Sequence, residues 1–318
     1  MPISHLGHAE LLVPDLEASS AFFTEIMGLQ VSERHEDRLF LRAWQDWDHH
    51  TLVLTKSDEP GLAHLGWRVP RKQDADELRV GIEQRGITVH EVDGATITGH
   101  GDAYRFTTPG GLPFELYWEV DYYQASGEQV SRMASHPSRI PLTGAAPRRF
   151  DHVTFIVDDV IAEQEFLSEV LGIRHNYFVF GPDGTRWGSW LSCNNVSHET
   201  AVTRNAMQTG GLLHHVAYYA DTIDEVLRAA TILVDHGFEI EWGPGKHGTS
   251  GATFLYFKEP SGNRMEIWTG GMLIFDPDWK AIEWGPEIGH LGNSMWGTPL
   301  PESFRFGTAL GEPATANR

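Results

Sequence analysis

Three side chains in the second half of the chain are of the types, and in the settings, that metal chemistry needs: His152 in "FDHVTFIVDD", His215 in "LLHHVAYYA" and Glu266 in "FLYFKEPSGNRMEIW". Taken singly, each has an ordinary explanation. A strand glutamate reads as the wet face of an edge strand, and a lone histidine as a satisfied core residue. Together, two imidazoles and one carboxylate from three separate strands make the facial set that suits divalent iron and leaves three positions open. Groups able to carry protons accompany them: His198 in "NNVSHETA", His247 in "GKHGTSG" and Tyr256 in "FLYFKEP".

The elements that must position these residues are written twice. "LGHAELLVPDLEASSAFFTEIMGLQ" from Leu6 and "FDHVTFIVDDVIAEQEFLSEVLGIR" from Phe150 share a pattern of strand, Asp, amphipathic helix and Gly, with His8 and His152, and Gly28 and Gly172, each 144 apart. "LAHLGWRVP" matches "LHHVAYYAD", and "FTTPGGLPFELYW" matches "FKEPSGNRMEIWT", pairing His64 with His215 and Glu115 with Glu266 at an offset of 151. Two constant offsets separated by one seven-residue insertion indicate an internal duplication.

Within a copy, the alternation in "DHVTFIVDD" predicts a strand with His152, Thr154 and Ile156 on one face. "VIAEQEFLSEVLG" and "DTIDEVLRAATILVDHG" predict helices ending at Gly172 and Gly237, and "KEPSGN" is turn chemistry between two strands. These readings divide the chain into a first unit over 1–122, a linker over 123–149, a second unit over 150–274 and a tail over 275–318. Adjacent strand residues point to opposite faces, so His214 and His215 cannot both face a metal. The repeat assigns His215, because His64 aligns with it and Ala63 with His214, which leaves His214 a supporting role. The first copy keeps a complete set in His8, His64 and Glu115. Projecting His247 and Tyr256 back by 151 lands on Thr96 and Arg105, so proton-transfer groups are expected only in the second copy. The first set is expected to be structural or a relic.

Composition narrows the field. The 318 residues include 41% hydrophobic side chains, enough for a sizeable core, and 44 acidic against 24 basic residues give a formal charge of −20. With no Lys/Arg run, nucleic acid and anionic membranes are not expected partners. A single cysteine, Cys193, excludes an intrachain disulfide framework and a Cys-based zinc site. No signal-like start and no long apolar run is present, and a cytoplasmic location is the expectation.

The stretch "GKHGTSGATFLYFKEPSGNRME", with Gly245, His247, Leu255, Tyr256, Glu259, Pro260, Gly262 and Glu266 at characteristic spacing, resembles the signature of the type I extradiol ring-cleavage dioxygenases of the vicinal oxygen chelate superfamily, the catechol 2,3-dioxygenase type. The resemblance implies an α+β fold of two tandem domains, each a pair of βαβββ modules forming an open barrel. It implies Fe(II) on His152, His215 and Glu266, with Mn(II) the alternative, O2 as co-substrate, and ring opening beside the hydroxyls of a catechol to give 2-hydroxymuconate semialdehyde-type products. It further implies His198 as acid/base, His247 and Tyr256 as partners of the substrate oxygens, and a homotetramer. Relatives that take homoprotocatechuate hold its carboxylate with arginines where this chain has Trp242 and Gly292, so a neutral catechol, bare or with a small alkyl group, is the expected substrate. Trp190 and Trp242 are candidate ring-packing residues, and "HLGNSMWGTP" in the tail is a candidate lid. A homoprotocatechuate 2,3-dioxygenase is the alternative within the family, and a glyoxalase-type isomerase, thiol transfer to an epoxide, or a catechol-binding protein without turnover are the other readings of the same scaffold.

Overall fold

The computed structural model describes residues 2–311. Their sixteen principal strands fall into two curled sheets, one per copy. The first contains β1 (His5–Val13), β2 (Gln30–Arg34), β3 (Arg38–Arg42), β4 (Leu52–Lys56), β5 (Gly61–Arg68), β6 (His90–Val92), β7 (Ala103–Thr107) and β8 (Pro113–Tyr117). The second contains β9 (Arg149–Val157), β10 (Arg174–Phe180), β11 (Arg186–Ser192), β12 (Thr200–Arg204), β13 (Leu212–Tyr219), β14 (Ile240–Lys246), β15 (Thr253–Lys258) and β16 (Arg264–Thr269). Their spatial orders, β2-β3-β4-β1-β5-β8-β7-β6 and β14-β15-β16-β13-β9-β12-β11-β10, are the same path read in opposite directions. Each sheet is two βαβββ modules joined antiparallel through their leading strands, and neither path closes, so each forms an open barrel.

The helices start and stop where local chemistry requires. Asp159 accepts the Ile161 and Ala162 N–H groups at the start of the helix Val160–Glu169, and Thr222 and Glu225 cap each other's backbone N–H groups at the start of the helix Ile223–Asp235. In chain order the helices are α1 (Leu16–Ala21), α2 (Lys72–Gln84), α3 (Val160–Glu169) and α4 (Ile223–Asp235). Gly172 and Gly237 follow α3 and α4 in the left-handed region, at φ +69° and +81°. The first copy departs from the plain helix expected there: α1 has six residues and continues as a π-turn over Phe22–Ile26. Phe22, Phe23, Ile26 and Met27 are all buried in the core along this turn.

The units pack through a contact that the duplication makes nearly symmetric. The Ser19 hydroxyl on α1 donates to Glu259 in the β15–β16 turn at 2.7 Å, and Glu163 on α3 accepts the Gly110 N–H in the β7–β8 turn at 2.6 Å. One apolar core runs through both units. The segment 123–148 carries no strand or α-helix and lies against the first unit, where Ser138 receives a hydrogen bond from buried Arg42; the expected linker's last residue, Arg149, already belongs to β9.

The inserted residues and the tail have the same destination. β10 and β11 have seven residues each, against five in β2 and β3, and this longer hairpin extends the far edge of the second sheet. The tail adds β17 (Ile282–Trp284) parallel to β10, then α5 (Gly289–Asn293), and ends as β18 (Ala309–Leu310) on β5 of the first sheet. Residues 312–318 of the tail lie outside the described residues. No helix among the described residues is long and apolar enough to cross a membrane.

Candidate metal centre and its cavity

Strand register explains how His152, His215 and Glu266 meet. Ala217 on β13 is opposite His152 on β9 and opposite Glu266 on β16, so all three side chains leave one face of the curled sheet, and His215 lies two residues earlier on that same face. A small residue at the crossing lets the long side chains close over it. The His152 and His215 Nε2 atoms are 3.2 Å apart, and Glu266 Oε2 lies 2.9 Å from the first and 3.1 Å from the second. Donors about 2.1 Å from one ion in adjacent coordination positions stand roughly 3 Å apart, so the triangle matches a single divalent metal. The chemistry of the donors fits as well: Glu266 Oε1 is buried without a hydrogen bond.

The ligands are oriented from behind. His152 Nδ1 lies 2.9 Å from Asp151 Oδ2, and Asp151 is held in turn by Arg149, which leaves the His152 Nε2 lone pair for the metal. His215 Nδ1 lies 2.6 Å from His214 Nδ1. The two adjacent histidines were expected on opposite faces. A β-bulge between Leu213 and His215 breaks the alternation, and both line the cavity with ring centroids 4.9 Å apart. His214 therefore supports His215 directly.

Burial and pairing set the charge of each member of the triangle separately. Burial disfavours a charged His152, but Asp151 and Glu266 outweigh it and push its pKa up to about 9. Burial pushes His215 down to about 4. Glu266, which burial alone would protonate, is held well below the usual carboxylate range by His152, His215 and His247. Metal binding at Nε2 would displace the His152 proton.

The expected proton carriers surround the same point. Tyr256 on β15 is opposite Glu266, and its hydroxyl is 3.0 Å from His247 Nε2. His247 Nδ1 donates to the Asn293 carbonyl at 2.6 Å, so its Nε2 is an acceptor for Tyr256. Burial raises the Tyr256 pKa well above that of free tyrosine. The His198 ring centroid lies 4.2 Å from that of His152, and its Nδ1 is held by Tyr177 at 2.8 Å and Ser197 at 3.1 Å. Burial, then neighbouring His152, keep His198 well below the ordinary histidine value and hence neutral.

All of these groups open onto a cavity of about 870 Å³. Trp242 and Trp190 both line it: Trp242 packs against Phe254 and Tyr256, and Trp190 stacks on Tyr177. The inserted hairpin contributes Val179, Phe180 and Trp187. From the tail come His290, Gly292 and Phe304, whose ring packs on Trp242, Tyr256 and His214. Asp151, Tyr177, Asn293 and Phe304 escaped the sequence reading. Asp151 carried a signal, as a carboxylate beside a ligand histidine, whereas the other three arrive from distant segments. Arg204 and Arg305 are at the cavity's edge and exposed; among the described lining residues no lysine or arginine is buried.

In the first unit, His8, His64 and Glu115 also converge, with Arg105 at the position of Tyr256. No counterpart of His247 occupies Thr96, but His100 Nε2 lies 3.2 Å from Glu115 Oε1.

The Glyoxalase/Bleomycin resistance protein/Dioxygenase superfamily matches residues 5–116 and 149–267. The manganese-dependent 2,3-dihydroxybiphenyl 1,2-dioxygenase of Geobacillus genomosp. 3 is 39% identical over 284 residues, 89% of this chain and 90% of that one. The metapyrocatechase of Geobacillus stearothermophilus is 37% identical over 95% of this chain and 92% of its own length. The homoprotocatechuate 2,3-dioxygenase of Brevibacterium fuscum, solved with 3,4-dihydroxyphenylacetate, superimposes with a TM-score of 0.85 at 29% identity, covering 98% of this chain and 94% of that one.

Proposed function

The chain belongs to the Glyoxalase/Bleomycin resistance protein/Dioxygenase superfamily and, within it, to the extradiol dioxygenases; on that premise we propose that it opens a neutral catechol, bare or with a small alkyl group, beside its hydroxyls using O2. The second unit and the tail over it carry the chemistry in this reading. His152, His215 and Glu266 would hold Fe(II), which would supply the redox chemistry between a catechol and O2. Mn(II) in the same donors is the second reading, favoured by the relative whose name specifies manganese.

The chain's own residues manage protons and solvent. Tyr256 accepts a substrate hydroxyl proton at its oxygen as it passes its own to His247 Nε2, the acceptor fixed by Asn293. With the Tyr177 hydroxyl donating to His198 Nδ1, the proton of the neutral ring sits on Nε2, where it can be delivered to reacting oxygen. Trp190, Trp242, Val179 and Phe304 wall the ring and keep water away. A carboxylated side chain would find no buried cation among these walls, which favours a neutral substrate.

The observation that carries the proposal is the convergence of three metal donors and three proton carriers on one largely apolar cavity. The test is oxygen uptake, with appearance of the yellow ring-fission product, for protein reconstituted anaerobically with Fe(II) or Mn(II). Catechol and its 3- and 4-methyl derivatives should be consumed rapidly and 3,4-dihydroxyphenylacetate slowly. Preference for the acid would overturn the substrate assignment, and no uptake by metal-replete protein would overturn the reaction. The expected homotetramer is checked by light scattering of the same samples.

A further inference from the structure

The first unit repeats the geometry of the metal triangle, although no proton relay like that of His247 and Tyr256 accompanies it. Gly66 on β5 is opposite His8 on β1 and opposite Glu115 on β8, as Ala217 is opposite His152 and Glu266. His8 and His64 Nε2 are 3.0 Å apart, and Glu115 Oε1 lies 3.5 Å from the first and 3.6 Å from the second. Donors about 2.1 Å from a common ion stand roughly 3.0 Å apart in adjacent octahedral positions and roughly 3.4 Å apart in tetrahedral ones; the edge between the histidines matches the first, and the two edges to Glu115, at 3.5 and 3.6 Å, run slightly beyond the second. A Cβ on Gly66 would lie 2.2 Å from the His8 ring, so glycine is what admits that imidazole.

The polar atoms suit a cation at this point, even with the Arg105 Nη2 3.5 Å from His64 Nε2. Glu115 is fully buried, and its Oε1 has no hydrogen bond although three imidazole nitrogens face it, those of His8, His64 and His100. His64 Nδ1 is 3.0 Å from Glu10 Oε2, and His100 Nδ1 is 3.0 Å from the Gly101 carbonyl. Both acceptors take the proton on Nδ1, so in the neutral rings both Nε2 atoms turn lone pairs toward a carboxylate oxygen, which itself offers only lone pairs. Glu10 behind His64 is the arrangement that Asp151 makes behind His152. Arg105 donates from Nε to Glu115 Oε2 at 2.6 Å, fixing the carboxylate and leaving Oε1 directed at the histidines.

We propose that His8, His64 and Glu115 bind a second divalent transition-metal ion, a structural site within the first unit. Its ligands are buried, so it ties β1, β5 and β8 together across the barrel in place of meeting substrate. Two imidazoles and a carboxylate are suited to zinc as well as to iron and manganese.

Crystals of the full chain grown in Mn(II) test this without any substitution. Anomalous difference density is expected both between His152, His215 and Glu266 and between His8, His64 and Glu115. Absence of the second peak overturns the proposal and makes Arg105 the cation that satisfies Glu115. Metal analysis of desalted protein, loaded with Mn(II) or Zn(II), gives a second readout. Wild type should retain two equivalents per chain, Glu266→Ala one and the Glu266→Ala/Glu115→Gln double variant none. Glu115→Gln alone should fall from two equivalents to one while keeping ring cleavage. A Glu266→Ala protein that folds but retains no metal would refute the second site.

Discussion

Replacing Glu163 by glutamine should stabilise the protein at alkaline pH and progressively less in acid. Glu163 projects from α3 into the contact between the units, buried, with one oxygen accepting the Gly110 N–H at 2.6 Å and the other without a partner. Burial pushes its pKa from 4.5 to about 7, against the pull of Thr108 and Gly110. A carboxyl whose folded pKa is raised stays protonated in the native state after the unfolded chain has lost its proton. Its stabilising contribution is therefore complete below pH 4.5 and is lost as pH rises through about 7. The full span corresponds to roughly 3 kcal/mol, and the part between pH 5.5 and 8 to roughly 2 kcal/mol, an upper bound if the charged carboxylate draws in water. Glutamine keeps the acceptor for Gly110 and never ionises. Urea unfolding of both proteins at pH 5.5, 7 and 8, or inactivation half-lives if unfolding is irreversible, gives the difference between them, in which all other titrations cancel. The glutamine variant should gain most of its advantage between pH 5.5 and 8. A difference independent of pH, or one that shrinks as pH rises, would refute the protonated Glu163.

Glu266→Ala should abolish tight metal binding in the second unit, seen as missing density between His152 and His215; a variant still iron-loaded and active would remove Glu266 from the site. His198→Phe should retain metal and catechol binding but lose on the order of a hundredfold or more in turnover, the usual scale for one acid/base group, and unchanged steady-state rates would exclude it from proton transfer. Ala217→Val inserts two methyls where His152 and Glu266 close over β13, and should lower metal retention after desalting with the fold intact by circular dichroism. Phe304→Ala removes the tail's ring from Trp242 and Tyr256 and should raise KM for methylcatechols more than it lowers kcat; equal KM values would mean that the tail does not shape the bound state.

The duplication made the strands legible, because a ligand on one copy's strand predicts a ligand on the other's. His152, His215 and Glu266 could be assigned from offsets alone, and the structure brings them within 3.2 Å of one another. What the repeat could not carry is whatever differs between copies. The His214–His215 pair was misread as facing opposite ways because a bulge is a one-residue slip that alternation cannot reveal. Tyr177 reaches the cavity from a hairpin longer than its counterpart β2–β3, and Asn293 and Phe304 from the tail, which has no counterpart in the first copy. The π-turn after α1 is likewise specific to one copy.

The residue between the ligands deserves as much weight as the ligands themselves. In each sheet a histidine and a glutamate flank the central strand, and their side chains meet only across the residue paired with both, Gly66 in one unit and Ala217 in the other. A larger side chain there would hold the two apart whatever their chemistry. Retaining a small residue at that crossing in both copies keeps both triangles closed. The functional difference between the units therefore lies in what stands over the triangle: Tyr256 and a cavity over the second, Arg105 over the first. A hydroxyl relayed to His247 can move a proton, whereas a guanidinium paired to Glu115 holds a fixed charge, and that exchange of one strand residue separates a centre built to turn over from one built to stay closed.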